Sequence, residues 1–194
     1  SKSENRRLNI VIEKIITDLL KKIKKTQQIN YQGQKIDFKT PWQRIKYNQI
    51  DFEKDKEKLI QPTFVVDHPI DMAILAKAKE DNPKEAHRFQ LIVGGIELMN
   101  GFSELNDPME QEKRFKKAKI ETERKDKDFL EALQYGMPPS AGLGMGIDRL
   151  IILLTDSHSL REAILFPTMK SKDRKSKFCE PIIPSFPSII ITLA

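Results

Sequence analysis

Three residues that suit a cationic ligand recur at every second position of one segment. Asn100, Phe102 and Glu104 belong to a stretch, residues 97–104, that has the composition of a β-strand. Because side chains alternate between the two faces of a strand, these three share one face, and strict alternation puts Glu97 on the face opposite to Phe102. A carboxylate pairs with an ammonium, an amide fixes orientation, and an aromatic ring covers an apolar stem. The alternative is a half-exposed strand whose polar residues face water.

A second segment combines alternating glycines with an arginine and suits a phosphate-bearing ligand. Gly142, Gly144 and Gly146 are followed closely by Arg149. Glycines at every second position allow a flat ligand to approach a strand backbone, and an arginine just after them is able to contact phosphate. The spacing matches neither a Walker loop nor a dinucleotide-binding fingerprint. A glycine-rich turn that leads into a buried helix explains the same residues without a ligand.

Length and composition are those of a globular domain. The 194 residues fit one compact domain by default, and 39% are hydrophobic and 32% charged, which favours a folded core. No apolar run approaches the roughly 20 residues of a membrane span, and the single cysteine, Cys179, favours a reducing compartment. The sequence therefore predicts a soluble, cytoplasmic protein. Its net charge of +6 favours approach to RNA, although lysine-rich faces are most often simply solvated.

The elements around these segments predict an α+β fold, an antiparallel β-sheet flanked by helices. Residues 9–25 form an amphipathic helix whose docking face is predicted to be Ile10, Val11, Ile15, Leu19 and Ile23. Strands are predicted at residues 28–31, 35–38, 62–66, 89–94, 97–104 and 164–167. Further helices are predicted at residues 109–125, 128–135 and 147–155. Residues 171–194, with basic residues and three prolines, are predicted to form a tail without secure structure.

Both chemical segments resemble those of a known family. Residues 142–150 read GLGMGIDRL, similar to motif 3 of class II aminoacyl-tRNA synthetases, and residues 100–107 read NGFSELND, very like the amino-acid pocket of the lysyl enzyme. Residues 29–38, 40–42, 59–64 and 164–167 look like bacterial lysyl-tRNA synthetases in the same order. Several ordered matches are more specific than any one motif. The resemblance predicts a partial class II synthetase catalytic domain in residues 1–170, followed by the tail at 171–194.

The resemblance implies roles for the residues of the strand segment. In the family, the residue at Glu104 binds the ammonium of the lysine side chain, and those at Asn100 and Phe102 shape the pocket. Glu97 corresponds to a carboxylate that holds the Mg²⁺ bridging the phosphates of ATP. The resemblance therefore implies lysine as the amino-acid substrate and Mg²⁺ as the metal.

For the glycine segment, the resemblance implies an ATP site. Gly142, Gly144 and Gly146 allow adenine and aminoacyl groups to lie close to the backbone, and Arg149 clamps the γ-phosphate as a catalytic residue. In the family reaction the lysine carboxylate attacks the α-phosphate of ATP, and the lysyl group then passes to tRNA-Lys. This chemistry requires charge neutralisation and in-line positioning. The implied partners are lysine, ATP and tRNA-Lys, with no membrane.

The sequence departs from the family pattern at several places. Gln90 stands at the usual second metal-binding glutamate, which predicts weaker metal binding; the chain between Arg44 and Leu59 is shorter, and residues 73–76 read AILA for the usual SPLA. Motif 1, which forms the family's dimer, and the motif 2 arginine at the α-phosphate are not found in these residues. A homodimer is compatible with the resemblance, but we expect little lysyl-tRNA synthesis from this chain alone.

Three hypotheses about function follow from these residues. The chain is the C-terminal catalytic portion of a lysyl-tRNA synthetase, which the retained Asn100, Glu104 and Arg149 favour. Alternatively, it is a degenerate paralogue that binds lysine or a nucleotide as a regulatory module, which Gln90 and the short connection favour. The third hypothesis is a non-catalytic RNA-binding protein, which salt-sensitive tRNA binding that survives Glu104→Ala would support.

Overall fold

The first helix has two adjacent apolar stripes and packs only one of them against the sheet. A computed structural model describes residues 2–118, 124–164 and 188–193, and α1 (Lys2–Lys24) is its first element. Four side chains at intervals of four residues are fully buried against the sheet: Leu8, Ile12, Ile16 and Leu20. The helix is confirmed, but four of the five residues of its predicted docking face, Ile10, Val11, Ile15 and Ile23, are between 41% and 57% exposed. Only Leu19 of that face packs against the core. Both stripes satisfy the helical period, so only packing decides between them.

A small antiparallel hairpin follows, made of β1 (Gln28–Tyr31) and β2 (Gln34–Asp37). Its two-residue turn holds Gln32 at φ 49° and Gly33 at φ 74°, which is the left-handed backbone that a type I′ hairpin turn requires. The Asp156 carboxylate accepts a hydrogen bond from the Gln32 backbone N–H at 2.7 Å. The strands predicted at residues 28–31 and 35–38 are confirmed, the second beginning and ending one residue earlier, and Asp156 ties the turn between them to the rest of the fold.

Six strands form the main sheet in the order β3-β4-β5-β6-β7-β8. They are β3 (Gln43–Lys46), β4 (Thr63–Val66), β5 (Arg88–Val93), β6 (Ile96–Ser103), β7 (Ala141–Gly146) and β8 (Ser188–Leu193). The pairs from β4 to β7 are antiparallel, in agreement with the predicted antiparallel sheet, and β8, which was not predicted, is also antiparallel to β7. In contrast to the prediction, β3 and β4 are parallel. The parallel pair arises because residues 47–62, which include α2 (Phe52–Asp55), form a crossover long enough to return to the same end of the sheet.

Helices occupy the connections around the sheet, which confirms the α+β class. Helix α3 (Pro108–Lys117) begins where the Asp107 carboxylate accepts hydrogen bonds from the backbone N–H groups of Met109 and Glu110, and it ends before the predicted residue 125. The next helices are α4 (Arg124–Gln134), α5 (Ile147–Thr155) and α6 (Leu160–Ala163). In the described part of the chain, no helix has both the length and the apolar character needed to cross a membrane.

The end of the chain corrects one expectation about the tail. Residues 188–193, predicted to lack secure structure, form β8 and pair with the whole of β7, from Gly146↔Ser188 to Ala141↔Leu193. The free edge of β7 offers unpaired backbone groups, and a β-branched run such as Ile189–Ile191 suits that edge once it is brought near. The strand predicted at residues 164–167 lies outside the described residues except for Ile164, which follows α6.

The core lies between α1 and one face of the sheet. Phe89, Leu91 and Val93 alternate along β5 and join the buried side chains of α1 in one cluster, together with Leu143 and Met145 of β7. The opposite face carries the intervening positions, among which Gln90, Asn100 and Gly144 lie side by side across β5, β6 and β7. The face of the sheet opposite to α1 therefore carries the predicted site residues.

Candidate active site

A cavity of about 650 Å³ brings the two chemical segments together on the sheet face opposite to α1. The eight residues predicted to bind ligands all line it: Glu97, Asn100, Phe102, Glu104, Gly142, Gly144, Gly146 and Arg149. The strand segment and the glycine segment meet because β6 pairs with β7, which sets Asn100 opposite Gly144 and Phe102 opposite Gly142. Gln90 does not line this cavity. The roles that the resemblance implies for these residues stay predictions.

A β-bulge changes the position of Glu97. Leu91 pairs with Met99 but Ile92 pairs with Glu97, so Leu98 is an extra residue in β6. Leu98 and Met99 are both buried in succession, and Glu97 lines the same cavity as Phe102. The expectation that Glu97 and Phe102 lie on opposite faces is therefore wrong, because one inserted residue shifts the alternation beyond it.

Glu104 lies just beyond the end of β6, at the apolar end of the cavity. Its backbone N–H donates to the Ser140 carbonyl at 2.9 Å, and an isolated bridge pairs it with Ala76. Burial raises the pKa of the Glu104 carboxyl above its ordinary value of 4.5. Among the described residues Glu104 forms no salt bridge. A half-buried carboxylate without a cation is a group that a cationic ligand would stabilise.

Arg88 fixes the orientation of Asn100, a contact that the sequence did not reveal. The Arg88 Nε–H donates to Asn100 Oδ1 at 3.0 Å, and its Nη1 donates to the Met72 carbonyl at 2.8 Å. With its oxygen engaged, Asn100 retains the Nδ2 group as a donor for an oxygen of a ligand. A charged residue directly before the apolar run of β5 was the only available signal, and it does not reveal the pairing of Arg88 with Asn100.

The glycine segment runs beside β6 along the cavity, from Gly142 opposite Phe102 to Gly146 and Arg149 at the end away from Glu104. A Cβ built on Gly144 meets nothing within 4 Å, whereas one on Gly146 would lie 3.1 Å from the Arg149 Cδ. Arg149, in the first turn of α5, donates from Nη1 to the Glu97 carbonyl at 2.6 Å. The open strand backbone, the guanidinium and the start of α5 together form an environment that suits a phosphate-bearing ligand.

The Gln90 side chain forms a hydrogen bond outside the cavity. Its Oε1 lies 2.7 Å from Nε2 of His68, and both side chains are buried. Burial lowers the pKa of His68 below its ordinary value, which fits a neutral imidazole that donates to the amide oxygen. Tyr47 and Phe52, from the connection between β3 and β4, pack on His68 at ring distances of 4.9 and 6.4 Å. This connection therefore packs against the hydrogen-bond partner of Gln90.

The described residues do not form a dedicated metal cage. No cluster of three histidine, cysteine, aspartate or glutamate residues suited to a metal ion is found among them. Glu97 and Asp148 are the carboxylates that line the cavity near Arg149, and the neutral amide of Gln90 is bonded to His68 and does not line the cavity. Mg²⁺ usually keeps water and substrate phosphates as ligands and needs only one or two carboxylates. These residues therefore fit an ion that arrives with a nucleotide better than a resident ion.

The described lining is more acidic than basic. Glu97, Glu104 and Asp148 line the cavity, and Arg149 is the one basic residue among its described lining residues. A cationic group is attracted by this arrangement, whereas a triphosphate needs additional cations. The lining therefore suits an ammonium-bearing ligand more completely than it suits ATP.

Comparison with known proteins identifies the class to which this fold and site belong. The sequence model of the family described as tRNA synthetases class II (D, K and N) matches residues 1–170. The chain belongs to this family. The α+β sheet and the glycine-rich strand that enters α5 agree with the resemblance found in the sequence.

Curated relatives within the family are lysine–tRNA ligases. The chain is 38% identical to the lysine–tRNA ligase of Fervidobacterium nodosum over 204 residues. This match covers 81% of this chain and 40% of the relative. It is 47% identical to the enzyme of Pelotomaculum thermopropionicum over 148 residues, which cover 73% of this chain and 29% of the relative. It is 52% identical to the enzyme of Shouchella clausii over 126 residues, which cover 61% of this chain and 25% of the relative. The chain spans about two fifths of the relatives' length in the longest of these matches.

Proposed function

We propose that this chain carries the lysine pocket and one side of the ATP site of a lysine–tRNA ligase. The observation that supports this most strongly is the single cavity in which Glu104, Asn100 and the glycine strand converge. A cavity with a carboxylate at one end, an arginine at the other and an open glycine backbone between them has the arrangement of charges that lysyl-adenylate requires. The names of the relatives supply the amino acid.

In this proposal the cavity orders lysine along its length. The Glu104 carboxylate pairs with the side-chain ammonium, and Phe102 and Leu105 cover the methylene stem. Asn100 Nδ2, oriented by Arg88, donates to a carboxylate or phosphate oxygen near the middle. The lysine carboxylate oxygen then attacks the α-phosphorus of ATP, and pyrophosphate leaves from the opposite side. Binding energy at Glu104 thus positions a reacting group at the other end of the substrate.

The nucleotide lies over the glycine strand in this proposal. The open backbone at Gly144 accommodates a flat group, and Arg149 binds the γ-phosphate. Glu97 is the residue that would hold the Mg²⁺ of the ATP complex, which would neutralise charge on the phosphates. Because Arg149 is the one basic residue among the described lining residues, we propose that adenylate formation by this chain alone is slow. Additional cations, and tRNA-Lys for the transfer step, complete the reaction in a longer protein.

Lysine-dependent exchange of pyrophosphate into ATP tests this function. The chain is assayed alone and mixed with the part of the Fervidobacterium nodosum lysine–tRNA ligase that the match leaves uncovered, since the match covers 40% of that enzyme. Exchange that requires both parts supports a catalytic portion. Lysine binding without exchange in either case supports a regulatory lysine-binding paralogue instead. Salt-sensitive tRNA binding that survives Glu104→Ala, without lysine binding, supports an RNA-binding protein.

The affinity for lysine should fall in mildly acidic solution. Burial raises the pKa of Glu104 above its ordinary value of 4.5, and only the ionised carboxylate pairs with the ammonium. The affinity for lysine should therefore be highest above the raised pKa and decrease as the pH falls through it. This decrease should begin above pH 4.5. Calorimetric titrations from about pH 8 to about pH 5 measure this change. Without ligand the sign reverses, because a raised pKa in the folded state makes the free protein slightly more stable as the carboxyl protonates.

Replacement of Arg88 should weaken lysine binding although Arg88 itself does not contact the ligand in this proposal. Arg88→Met releases Asn100 Oδ1, so the amide is free to rotate away from its binding orientation. We expect a roughly tenfold loss of affinity for lysine, the usual effect of one hydrogen bond to a charged group. Calorimetry measures the loss, with Arg161→Met as the control because Arg161 is exposed. Unchanged affinity in Arg88→Met would show that Asn100 needs no external support.

A further inference from the structure

We propose that Gln111 is a specificity-determining residue whose side-chain oxygen is the second acceptor, beside Glu104, for the ammonium of the bound amino acid. The inference rests on the proposed function and assigns a role to a residue outside both sequence motifs. Gln111 lies on α3, lines the cavity and is 1% exposed. Its Oε1 atom is buried and has no hydrogen-bond partner.

The orientation of the Gln111 amide is defined by its other end. Nε2 donates to the Ile74 carbonyl at 3.1 Å, and a carbonyl accepts but cannot donate. The amide nitrogen therefore faces Ile74, and the amide oxygen is the atom left without a partner. A buried acceptor without a donor is unfavourable, and most such groups in folded proteins find one. A donor from the cavity would supply this missing hydrogen bond.

One chain segment holds both acceptors at the same end of the cavity. Ala76 forms the isolated bridge with Glu104, and the Leu75 carbonyl accepts from the Leu105 backbone N–H at 2.9 Å. The Ile74 carbonyl, one residue earlier, accepts from Gln111. Leu75 and Leu105 also line the cavity and provide apolar walls. Residues 74–76 thus hold Gln111, Leu105 and Glu104 in turn, beside walls that suit a methylene stem.

This pair of acceptors favours a primary ammonium. An ammonium carries three diverging N–H donors, so a carboxylate and a separate amide oxygen are able to accept from it together. A guanidinium is a planar fork that is best satisfied by one carboxylate accepting two parallel hydrogen bonds. A neutral methyl group in the same place leaves both acceptors unpaired. We infer that Gln111 contributes to selection of lysine over arginine and over norleucine.

Calorimetric titration with lysine and norleucine distinguishes an acceptor from a structural residue. Gln111→Met should lower the affinity for lysine about tenfold and leave the affinity for norleucine within about twofold. An equal loss for both ligands would overturn the inference, because it would show that Gln111 only holds the Ile74 segment. If the unmodified chain does not bind lysine, the proposed function fails and this inference fails with it. If it binds lysine and only the Gln111 result is negative, the proposed function stands.

A second variant keeps the test valid if Gln111→Met does not fold. Gln111→Glu retains an acceptor but cannot donate to the Ile74 carbonyl, so it separates the two ends of the side chain. We expect its preference for lysine over norleucine to stay within about threefold of the unmodified chain, since charged acceptors pair well with an ammonium. Loss of that preference in Gln111→Glu would contradict the acceptor role. Gln134→Met, at an exposed position of α4, controls for the loss of a glutamine as such.

Discussion

Glu104→Gln should lower the affinity for lysine by a factor on the order of 100, because it leaves a buried ammonium without its counter-charge. The side chain keeps its shape and still offers one acceptor oxygen, so the loss reports charge rather than volume. Isothermal titration calorimetry near neutral pH measures the change. Asp148→Asn is the matched control, since Asp148 also lines the cavity but lies at the start of α5. We expect its affinity for lysine to stay within about threefold.

The stability of Glu104→Gln separates a binding defect from a folding defect. Burial raises the pKa of Glu104, which means that the folded state favours the neutral carboxyl. A neutral amide in its place should therefore leave the thermal midpoint unchanged or slightly higher at neutral pH. If this variant kept its affinity for lysine, the ammonium of lysine would not bind at Glu104. A lower thermal midpoint would show that the Glu104 charge has a stabilising partner in the ligand-free protein.

Two glycines of adjacent strands should respond in opposite ways to added side chains. A Cβ on Gly101 would lie 2.5 Å from Phe89 Cζ and 2.9 Å from the Gly142 carbonyl oxygen. Phe89 is 1% exposed and packs in the α1 core, so it has little room to move. Gly101→Ala should lower the free energy of unfolding by about 2–3 kcal/mol. Denaturant unfolding measures this, and an unchanged midpoint would mean that Phe89 repacks without difficulty.

Gly144→Val should instead preserve folding and block the nucleotide. A Cβ on Gly144 meets no atom within 4 Å and extends into the cavity. The free energy of unfolding should change by less than about 1 kcal/mol. The affinity for ATP with Mg²⁺, measured by calorimetry with the same added part of the Fervidobacterium nodosum enzyme, should fall at least about tenfold through steric overlap. Undiminished ATP binding would show that the nucleotide does not lie over this strand position.

Much of the local structure was predictable because it depends on neighbours in the sequence. The Gln32-Gly33 turn and the Asp107 cap of α3 follow from the intrinsic preferences of those residues. The alternation of Asn100, Phe102 and Glu104 predicted that these residues share one face, and all three line the cavity. The family, too, was contained in short ordered motifs. Such features require no knowledge of which distant segments come together.

The sequence pattern was insufficient wherever two arrangements satisfied it equally. Helix α1 has two apolar stripes of the same period, and the sheet covers only the one that contains Leu8 and Ile12. The parallel pairing of β3 with β4 and the addition of β8 to β7 are contacts between distant segments. Pairing of this kind depends on the path of the whole chain, which no local propensity encodes.

The sequence by itself determined which residues have the chemistry for an ammonium and a phosphate. Only the tertiary structure decided how they meet. The bulge at Leu98 brings Glu97 into the cavity, Arg88 orients Asn100 from the neighbouring strand, and α3 directs Gln111 to the same place as Glu104. Each depends on register or packing between segments. The identity of a side chain states what it is able to bind, whereas its direction is set by the backbone geometry that long-range contacts impose.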